Sequence, residues 1–254
     1  MKSEPFFISS TDEGLKESLA YREKMDGMRG EFISAISHDL KTPIALIQGY
    51  AEGLKDGLAD DPESRDYYCE VISDEAIRMN AMVQKFIALN ELEYGSDGPA
   101  LGSFDIAEIL QDTVSYYSQK AETEGVELRC MTEHAAVLAD GFMVEEALNN
   151  YLSNAFHYVQ DVGSGKKILL KSESIEDEHV VRVSVWNTGA GIAEEDLGRI
   201  WDKMYRSDRA RSREYGGNGI GLSIVKAIMD RHGTGCGVYN TDEGPVFWFD
   251  LKKE

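Results

Sequence analysis

The apolar residues of this chain follow two different periodicities, and the change from one to the other falls at a glycine-rich stretch. Up to about residue 92 they recur in steps of three and four, which is the period of an α-helix that faces a core. Beyond residue 103, short β-rich runs alternate with helical segments, as in an α/β sandwich. The stretch GSDGPALGS between them has the composition of a linker. The chain is therefore predicted to form two domains of different architecture.

The helical half is predicted to be a hairpin of two long helices. The polar stretch GLKDGLADDPES separates them, and its Asp61-Pro62 pair is typical of a helix start. The first helix carries an apolar stripe at Ile33, Ile36, Leu40, Ile44, Ile47, Ala51 and Leu54. One partner helix cannot cover so long a stripe, so two hairpins are predicted to pair as a dimeric four-helix bundle. His38 lies roughly 200° away from the stripe and is predicted to face solvent.

Charge and cysteine content narrow the class of protein further. The 254 residues carry a net charge of −20, which argues against non-specific binding to nucleic acid or to an anionic membrane. With no run of eighteen apolar residues and no signal peptide at its start, the segment is expected to be soluble, without direct membrane contact. The three cysteines lack metal-ligand spacing and are expected to be reduced thiols in a cytosolic protein.

The second half is predicted to be a mixed sheet with helices on one face, and one of its helices carries unusual polar residues. Helices are expected at residues 104–125, 142–159, 192–205 and 218–233. Asn150 and Asn154 share one face of the second of these, with His157 and Tyr158 a turn further on. Asparagine lowers helix propensity, so two on one face suggest a function such as binding Mg²⁺ beside nucleotide phosphates. Taken alone, the segment leaves an exposed polar face as the less favoured alternative.

Two glycine-rich segments are the other unusual features of the second half. In WNTGAGI, Gly189 and Gly191 allow close approach to a flat ligand, and Asn187 has the donor and acceptor to read an adenine edge. A plain tight turn would explain this segment equally well. In YGGNGIGLSIV, four glycines lead into a helix whose free N–H groups suit phosphate. A basic stretch before it, with arginines at 206, 209, 211 and 213, has the character of a lid over a triphosphate or of a solvated loop.

Taken in order, these segments resemble the cytoplasmic core of a two-component sensor histidine kinase, and in particular Gram-positive sensors that include the vancomycin-resistance sensors. SHDLKTP matches the H box, EEALNNYLSNAFHY the asparagine box, and NTGAGI and GGNGIGLSI the two glycine boxes. The resemblance implies a coil at 1–24, a dimerisation and histidine-phosphotransfer hairpin at 25–94 and a linker at 95–103. A GHKL-type α/β sandwich that binds ATP would follow at 104–254.

The resemblance implies roles for three residues of the H box. His38 would be the phosphoacceptor, and Asp39 would orient its imidazole and accept its proton. Thr42, one helical turn from His38, would position a water that dephosphorylates the partner's phospho-aspartate. The implied partners are a second copy of the chain and a cognate response regulator, and the implied setting is the cytosolic part of a membrane-anchored sensor.

The resemblance also implies a nucleotide site that takes ATP and Mg²⁺, with Asn154 as the metal ligand. Its residues would be Asn150, Asn154, His157, Tyr158, Asn187, Gly189, Gly191, Arg206, Gly217, Gly219, Gly221 and Leu222. Two positions depart from the family pattern: His157 stands where lysine is common, and Asn187 where aspartate usually reads adenine. The working kinase is therefore weighed against a catalytically weak or pseudokinase regulator that acts as a phosphatase or docking dimer. A GHKL ATPase of chaperoning or DNA repair would leave SHDLKTP unexplained.

Overall fold

The computed structural model describes Ser34, Ser37 and residues 39–95, 97–205 and 219–254. The chain divides into two compact units, Met1–Ala81 and Met82–Glu254, and the division falls inside a helix rather than at the predicted linker. The coil predicted for residues 1–24 lies outside the described residues, as do three predicted site residues, His38, Arg206 and Gly217.

Two helices form the predicted hairpin, so this part of the fold prediction is confirmed. Helix α1 is described over residues 39–55, and α2 runs from Pro62–Tyr94, ending where the helical domain was predicted to end. Asp61 begins α2 as expected, because its Oδ1 accepts a hydrogen bond from the Ser64 N–H at 2.8 Å. Hydrogen bonding to Ser64 also lowers the pKa of the Asp61 carboxyl. Near the hairpin loop, the rings of Tyr50 and Tyr68 meet edge-on at 4.9 Å.

Seven strands form the mixed sheet of the second unit. They are β1 Gly102–Asp105, β2 Glu127–Met131, β3 Ala136–Ala139, β4 Lys167–Ile175, β5 Val180–Asn187, β6 Cys236–Asn240 and β7 Pro245–Lys253. The order is β1-β3-β7-β5-β4-β2, with β6 also paired to β7. β2 and β4 are parallel, and the other neighbouring pairs are antiparallel. Because β1 begins at Gly102, the linker predicted for 95–103 overlaps the sheet at its last two residues.

Three helices pack on one face of this sheet, as predicted. They are α3 Ile106–Glu124, α4 Gly141–Val159 and α5 Gly221–His232. Every second residue of β5 is buried beneath them, and α4 contributes nine buried residues to the core. The hydroxyl of the buried Tyr151 donates to the carbonyl oxygen of Trp248 at 3.0 Å, which ties α4 to β7.

The prediction of a helix at residues 192–205 is wrong. The structure has consecutive turns there, in which the N–H groups of Asp196, Arg199 and Asp202 donate to the carbonyl three residues earlier. Gly198 lowers helix propensity in the middle of the segment. At its end Met204 has φ 60°, and its N–H donates to the Gly219 carbonyl oxygen at 2.9 Å, so a tertiary contact overrides the local helical pattern.

All three cysteines are free thiols, as the sequence predicted. Cys69 is exposed, whereas Cys130 and Cys236 are half-buried. Burial raises the pKa of the Cys130 thiol, and it raises the pKa of Cys236 to about 11. The two half-buried thiols are therefore poor nucleophiles near neutral pH, since the thiolate is the reactive form.

Candidate functional site

Helix α4 carries the two asparagines on one face. Asp140 begins this helix, because its Oδ1 accepts a hydrogen bond from the Met143 N–H at 3.2 Å. Asn150 is buried, and its Nδ2 donates to the Glu146 carbonyl oxygen at 2.8 Å and to Glu146 Oε1 at 3.1 Å. Asn154 lies one turn further on and is half-buried. The Asn150 side chain is thus fixed within its own helix, with Oδ1 directed away from it.

The Asn150 side chain meets the start of α5 at Gly221. A Cβ atom at Gly221 would lie 2.9 Å from Asn150 Oδ1, so glycine is required for this close approach. Ile220 is at the N-cap of α5, and no side chain from the described part of the chain caps it. The first N–H groups of α5 are therefore suited to an anionic ligand beside the asparagine face. Leu222 is half-buried in the same first turn.

The first glycine loop brings the end of β5 to the end of α4. Asn187 is the last residue of β5 and is buried, and its Nδ2 donates to the Thr188 carbonyl oxygen at 3.0 Å. Gly189 has φ +151°, a conformation that favours glycine. A Cβ there would lie 3.6 Å from Asn187 Nδ2 and 3.8 Å from the Tyr158 carbonyl oxygen. The predicted residues Asn187, Gly189 and Tyr158 are thus neighbours.

His157 and Tyr158 close the α4 side of this site. The two rings meet edge-on at 5.1 Å; His157 is half-buried and Tyr158 is about one-third exposed. His157 is also the basic residue of the last turn of α4. The resemblance implies that lysine is common where His157 stands here.

Two residues that shape the site were missed by the sequence reasoning. Asn240 holds Ile192 by both backbone groups: its Oδ1 accepts from the N–H at 2.9 Å, and its Nδ2 donates to the carbonyl at 2.8 Å. Gly191 packs against this asparagine. A Cβ atom added at Gly191 would lie 3.0 Å from Asn240 Oδ1. Gly244 has φ +154°, and a Cβ there would clash with the Asn187 carbonyl oxygen. The turn residues TDEGP were the only sequence signal for Gly244.

Gly219 offers a direct test of the second glycine segment. Its φ is +66°, and a Cβ would lie 2.8 Å from the backbone of Met204 and 2.8 Å from the Tyr205 carbonyl oxygen. We expect Gly219→Ala to destabilise the fold by about 1–3 kcal/mol, the usual cost of a non-glycine residue held in this region. Denaturant unfolding measures the change, with Gly163→Ala as the matched control, since a Cβ at Gly163 meets nothing within 4 Å. Equal stability of the two variants would show that a side chain at residue 219 is tolerated against the Met204 and Tyr205 backbone, which would contradict this expectation.

The remaining predicted residues lie in the first unit or outside the described residues. Asp39 is half-buried and Thr42 is exposed, and both are on α1. The structure thus assembles the described α4, β5 and α5 residues of the predicted site within the second unit. For His38, Arg206 and Gly217 the predictions stand as made.

The chemistry of the assembled residues is compatible with a nucleotide. The start of α5 offers free N–H donors without an acidic residue in its first turn, and Gly191 and Gly221 let Asn240 and Asn150 pack closely beside the two glycine segments. Within the described ranges, no group of three or more His, Cys, Asp or Glu side chains could hold a metal ion. The amide oxygens of Asn150 and Asn154 are hard donors of the kind that Mg²⁺ accepts together with phosphate oxygens.

Comparison with known proteins defines the class. Residues 139–254 match the model of the histidine kinase-, DNA gyrase B- and HSP90-like ATPases, and residues 28–95 match the His Kinase A (phospho-acceptor) domain. An ATPase of this type is therefore joined here to a phosphoacceptor hairpin, in the order that the sequence motifs predicted.

Whole-chain similarity identifies the family. The chain is 31% identical over 233 residues to Sensor protein SrrB of Staphylococcus aureus, covering 90% of this chain and 39% of that protein. It is 32% identical over 210 residues to the Sensor-like histidine kinase SenX3 of Mycobacterium bovis, covering 82% and 50%. The solved structure of histidine kinase ThkA, in complex with response regulator protein TrrA, superposes with a TM-score of 0.73 at 26% identity, covering 99% of this chain and 68% of ThkA. The chain belongs to the sensor histidine kinases.

The two relatives, SrrB and SenX3, are longer than this chain. The chain spans 39% of the length of SrrB and 50% of that of SenX3. None of the helices in the described ranges has the length and hydropathy of a membrane span.

Proposed function

We propose that the chain is an ATP-dependent protein-histidine kinase that phosphorylates itself on His38. The observation that carries this proposal is the meeting of three elements in the second unit. Asn150 on α4 packs against Gly221 at the start of α5, and Tyr158 at the end of α4 lies beside Gly189 and Asn187. The second unit therefore carries phosphate donors, a metal-suited amide face and an adenine-reading amide, and the same chain matches a phosphoacceptor domain.

Each part of the nucleotide is assigned to particular residues. The Asn187 amide can accept from the adenine amino group and donate to a ring nitrogen, as asparagine does when it reads adenine in DNA. The α5 N–H groups would hold the phosphates, with Gly219 and Gly221 at the start of that helix. Asn154 would hold Mg²⁺, which when bound would neutralise charge on the phosphate oxygens. Arg206 and Gly217, which lie outside the described residues, are part of the same proposal.

The chemistry at His38 is a phosphoryl transfer to nitrogen. The Asp39 carboxylate accepts a hydrogen bond from one imidazole N–H, so that the other nitrogen of the neutral ring keeps its lone pair for attack. This nitrogen forms a bond to the γ-phosphorus while the bond from that phosphorus to the bridging oxygen breaks, and ADP leaves with the electron pair. The Asp39 carboxylate stabilises the imidazolium that develops and takes up its N–H proton, which leaves a neutral phosphohistidine ring.

We further propose that the phosphoryl group passes from His38 to an aspartate of a response regulator. ThkA, which resembles this chain over most of its length, forms a complex with such a protein. Thr42 would position the water for the reverse, phosphatase reaction. As the resemblance implies, we place the chain in the cytoplasmic part of a membrane-anchored sensor.

A homodimer is the proposed assembly. Large apolar side chains of the hairpin are exposed in the single chain: Ile44 at 48%, Leu46 at 42% and Ile77 at 66%. A second hairpin would bury such residues in a four-helix bundle and gain about 25 cal/mol for each Å² of apolar surface removed from water.

Asn187 and His157 favour one alternative, a regulator that no longer binds nucleotide and works as a phosphatase or docking dimer. Calorimetry with a non-hydrolysable ATP analogue and Mg²⁺ separates the two functions. We expect micromolar binding by the wild-type chain. Asn187→Ala should weaken it about tenfold or more, since a buried polar group left unpaired costs about 1–3 kcal/mol. Asn187→Asp, which keeps the acceptor for the adenine amino group but loses the N–H donor, should lose less affinity than Asn187→Ala. An absence of binding by all three proteins would favour the alternative.

A further inference from the structure

Arg231, the penultimate residue of α5, holds the end of α2. Its Nη2 donates to the carbonyl oxygens of Glu91 and Gly95, at 2.7 and 2.8 Å. Its Nε donates to the Leu92 carbonyl oxygen at 2.5 Å, and Nη1 donates to that of Asp97. All of these residues belong to the second compact unit. One side chain thus contacts four backbone carbonyls at the junction of helix and linker.

The end of α2 needs such a partner. The last four carbonyls of any helix lack intrahelical donors, and they form the negative end of the helix dipole. The last turn of α2 contains no basic residue of its own and includes Glu91 and Glu93. A guanidinium has five N–H donors in a planar fork, so it can serve several carbonyls at once, which an ammonium group does less well.

Two further contacts hold the same segment. Lys203 Nζ lies 2.6 Å from Glu93 Oε2 in the last turn of α2. Further along, the Ala100 N–H donates to Asp140 Oδ2 at 2.8 Å. The Asp140 N–H donates to Nε2 of His232, the residue after Arg231, at 2.9 Å. The predicted linker is therefore fixed at both ends to the fold that carries α4 and α5.

We propose that Arg231 is a positioning residue for autophosphorylation, because it keeps the end of α2 attached to the ATP-binding fold. The inference rests on the proposed function. Without Arg231, the chain from Glu91 to Leu101 becomes a flexible tether, and the effective concentration of the γ-phosphate at His38 falls. We expect a loss of about fivefold, which is the equivalent of about one net hydrogen bond. The γ-phosphate would meet His38 less often, while nucleotide binding would not change.

Kinetics of Arg231→Gln test this role. We expect the rate of autophosphorylation at saturating ATP to fall about fivefold, with an unchanged KM for ATP, and Arg231→Lys to lie between this variant and the wild type. Arg129→Gln is the matched control, since its side chain is 71% exposed on β2. A folded Arg231→Gln protein with the wild-type rate would overturn the inference, as would a rise in KM that accounts for the whole loss.

Glu93→Gln supplies an independent variant, because it removes the Lys203 contact to the same segment. The double variant should lose less than the product of the two single losses, since both release one piece of chain. Fully multiplicative losses would contradict a shared tether. Failure of the proposed function is distinguishable: it would appear as a wild-type protein that takes no label, whereas failure of this inference leaves the wild type active.

Discussion

Replacing His38 with glutamine is expected to abolish incorporation of phosphate from ATP while leaving nucleotide binding intact. Glutamine keeps a polar side chain of similar reach but has no nitrogen that can attack the γ-phosphorus. The residues proposed to hold the nucleotide lie on α4, β5 and α5, which all belong to the second unit. His38→Gln should therefore incorporate no phosphate, and its affinity for an ATP analogue should equal that of the wild type. Labelling and calorimetry on the same preparation measure both.

The matched control for this variant is His134→Gln. His134 is 81% exposed, near the start of α3, where it lies 2.6 Å from the Asp105 carboxylate. This pair raises the pKa of His134 and lowers that of Asp105. The control should retain wild-type labelling, because no step of the proposed reaction uses His134. Label that persists in His38→Gln at the wild-type level would place the phosphoacceptor elsewhere.

Asn154→Ala is the second substitution with a large expected effect. It removes the proposed metal ligand, so charge on the phosphate oxygens would be less well neutralised as the phosphoryl group moves. Metal charge stabilisation is worth several kcal/mol, and about 1.4 kcal/mol is a factor of ten in rate. We expect autophosphorylation to fall by about a hundredfold or more. Raising the Mg²⁺ concentration should recover part of the loss, because binding is weakened rather than blocked.

Asn149→Ala is the control for this substitution. Asn149 is an asparagine of the same helix that is exposed and lies away from the Asn150 and Asn154 face. It should leave both the rate and the dependence on Mg²⁺ unchanged. Similar losses in the two variants would indicate a general effect on α4 and would argue against Asn154 as the metal ligand.

The elements that sequence reasoning predicted well are those set by local chemistry. The Asp61-Pro62 start of α2 and its end at Tyr94 follow from capping and from the glycine that comes next. The β-rich run of β5 and the strongly apolar segment of α4 likewise predicted a strand and a helix, and both are found. The fold class was confirmed because these local signals agree with one another along the chain.

The elements that it missed depend on contacts between distant residues. Residues 192–205 have a helical pattern, yet the hydrogen bond from Met204 to Gly219 and the left-handed Met204 turn them into a series of turns. Asn240 supports the first glycine loop from a neighbouring strand, and only the fold shows that they meet. Arg231 had no motif to mark it, since a basic residue in the last turn of a helix is ordinary. The candidate site was thus visible as motifs, but its supporting residues were not.

The central claim is that nucleotide held by the second unit delivers phosphate to one histidine of the first. The most direct measurement is mass-spectrometric mapping of the wild-type chain after incubation with γ-labelled ATP and Mg²⁺, at neutral to alkaline pH because phosphohistidine is acid-labile. The account predicts one modified peptide, containing SHDLKTP, with the phosphoryl group on the His38 imidazole and label that survives base. An unmodified chain, or phosphate found on another residue, would contradict it.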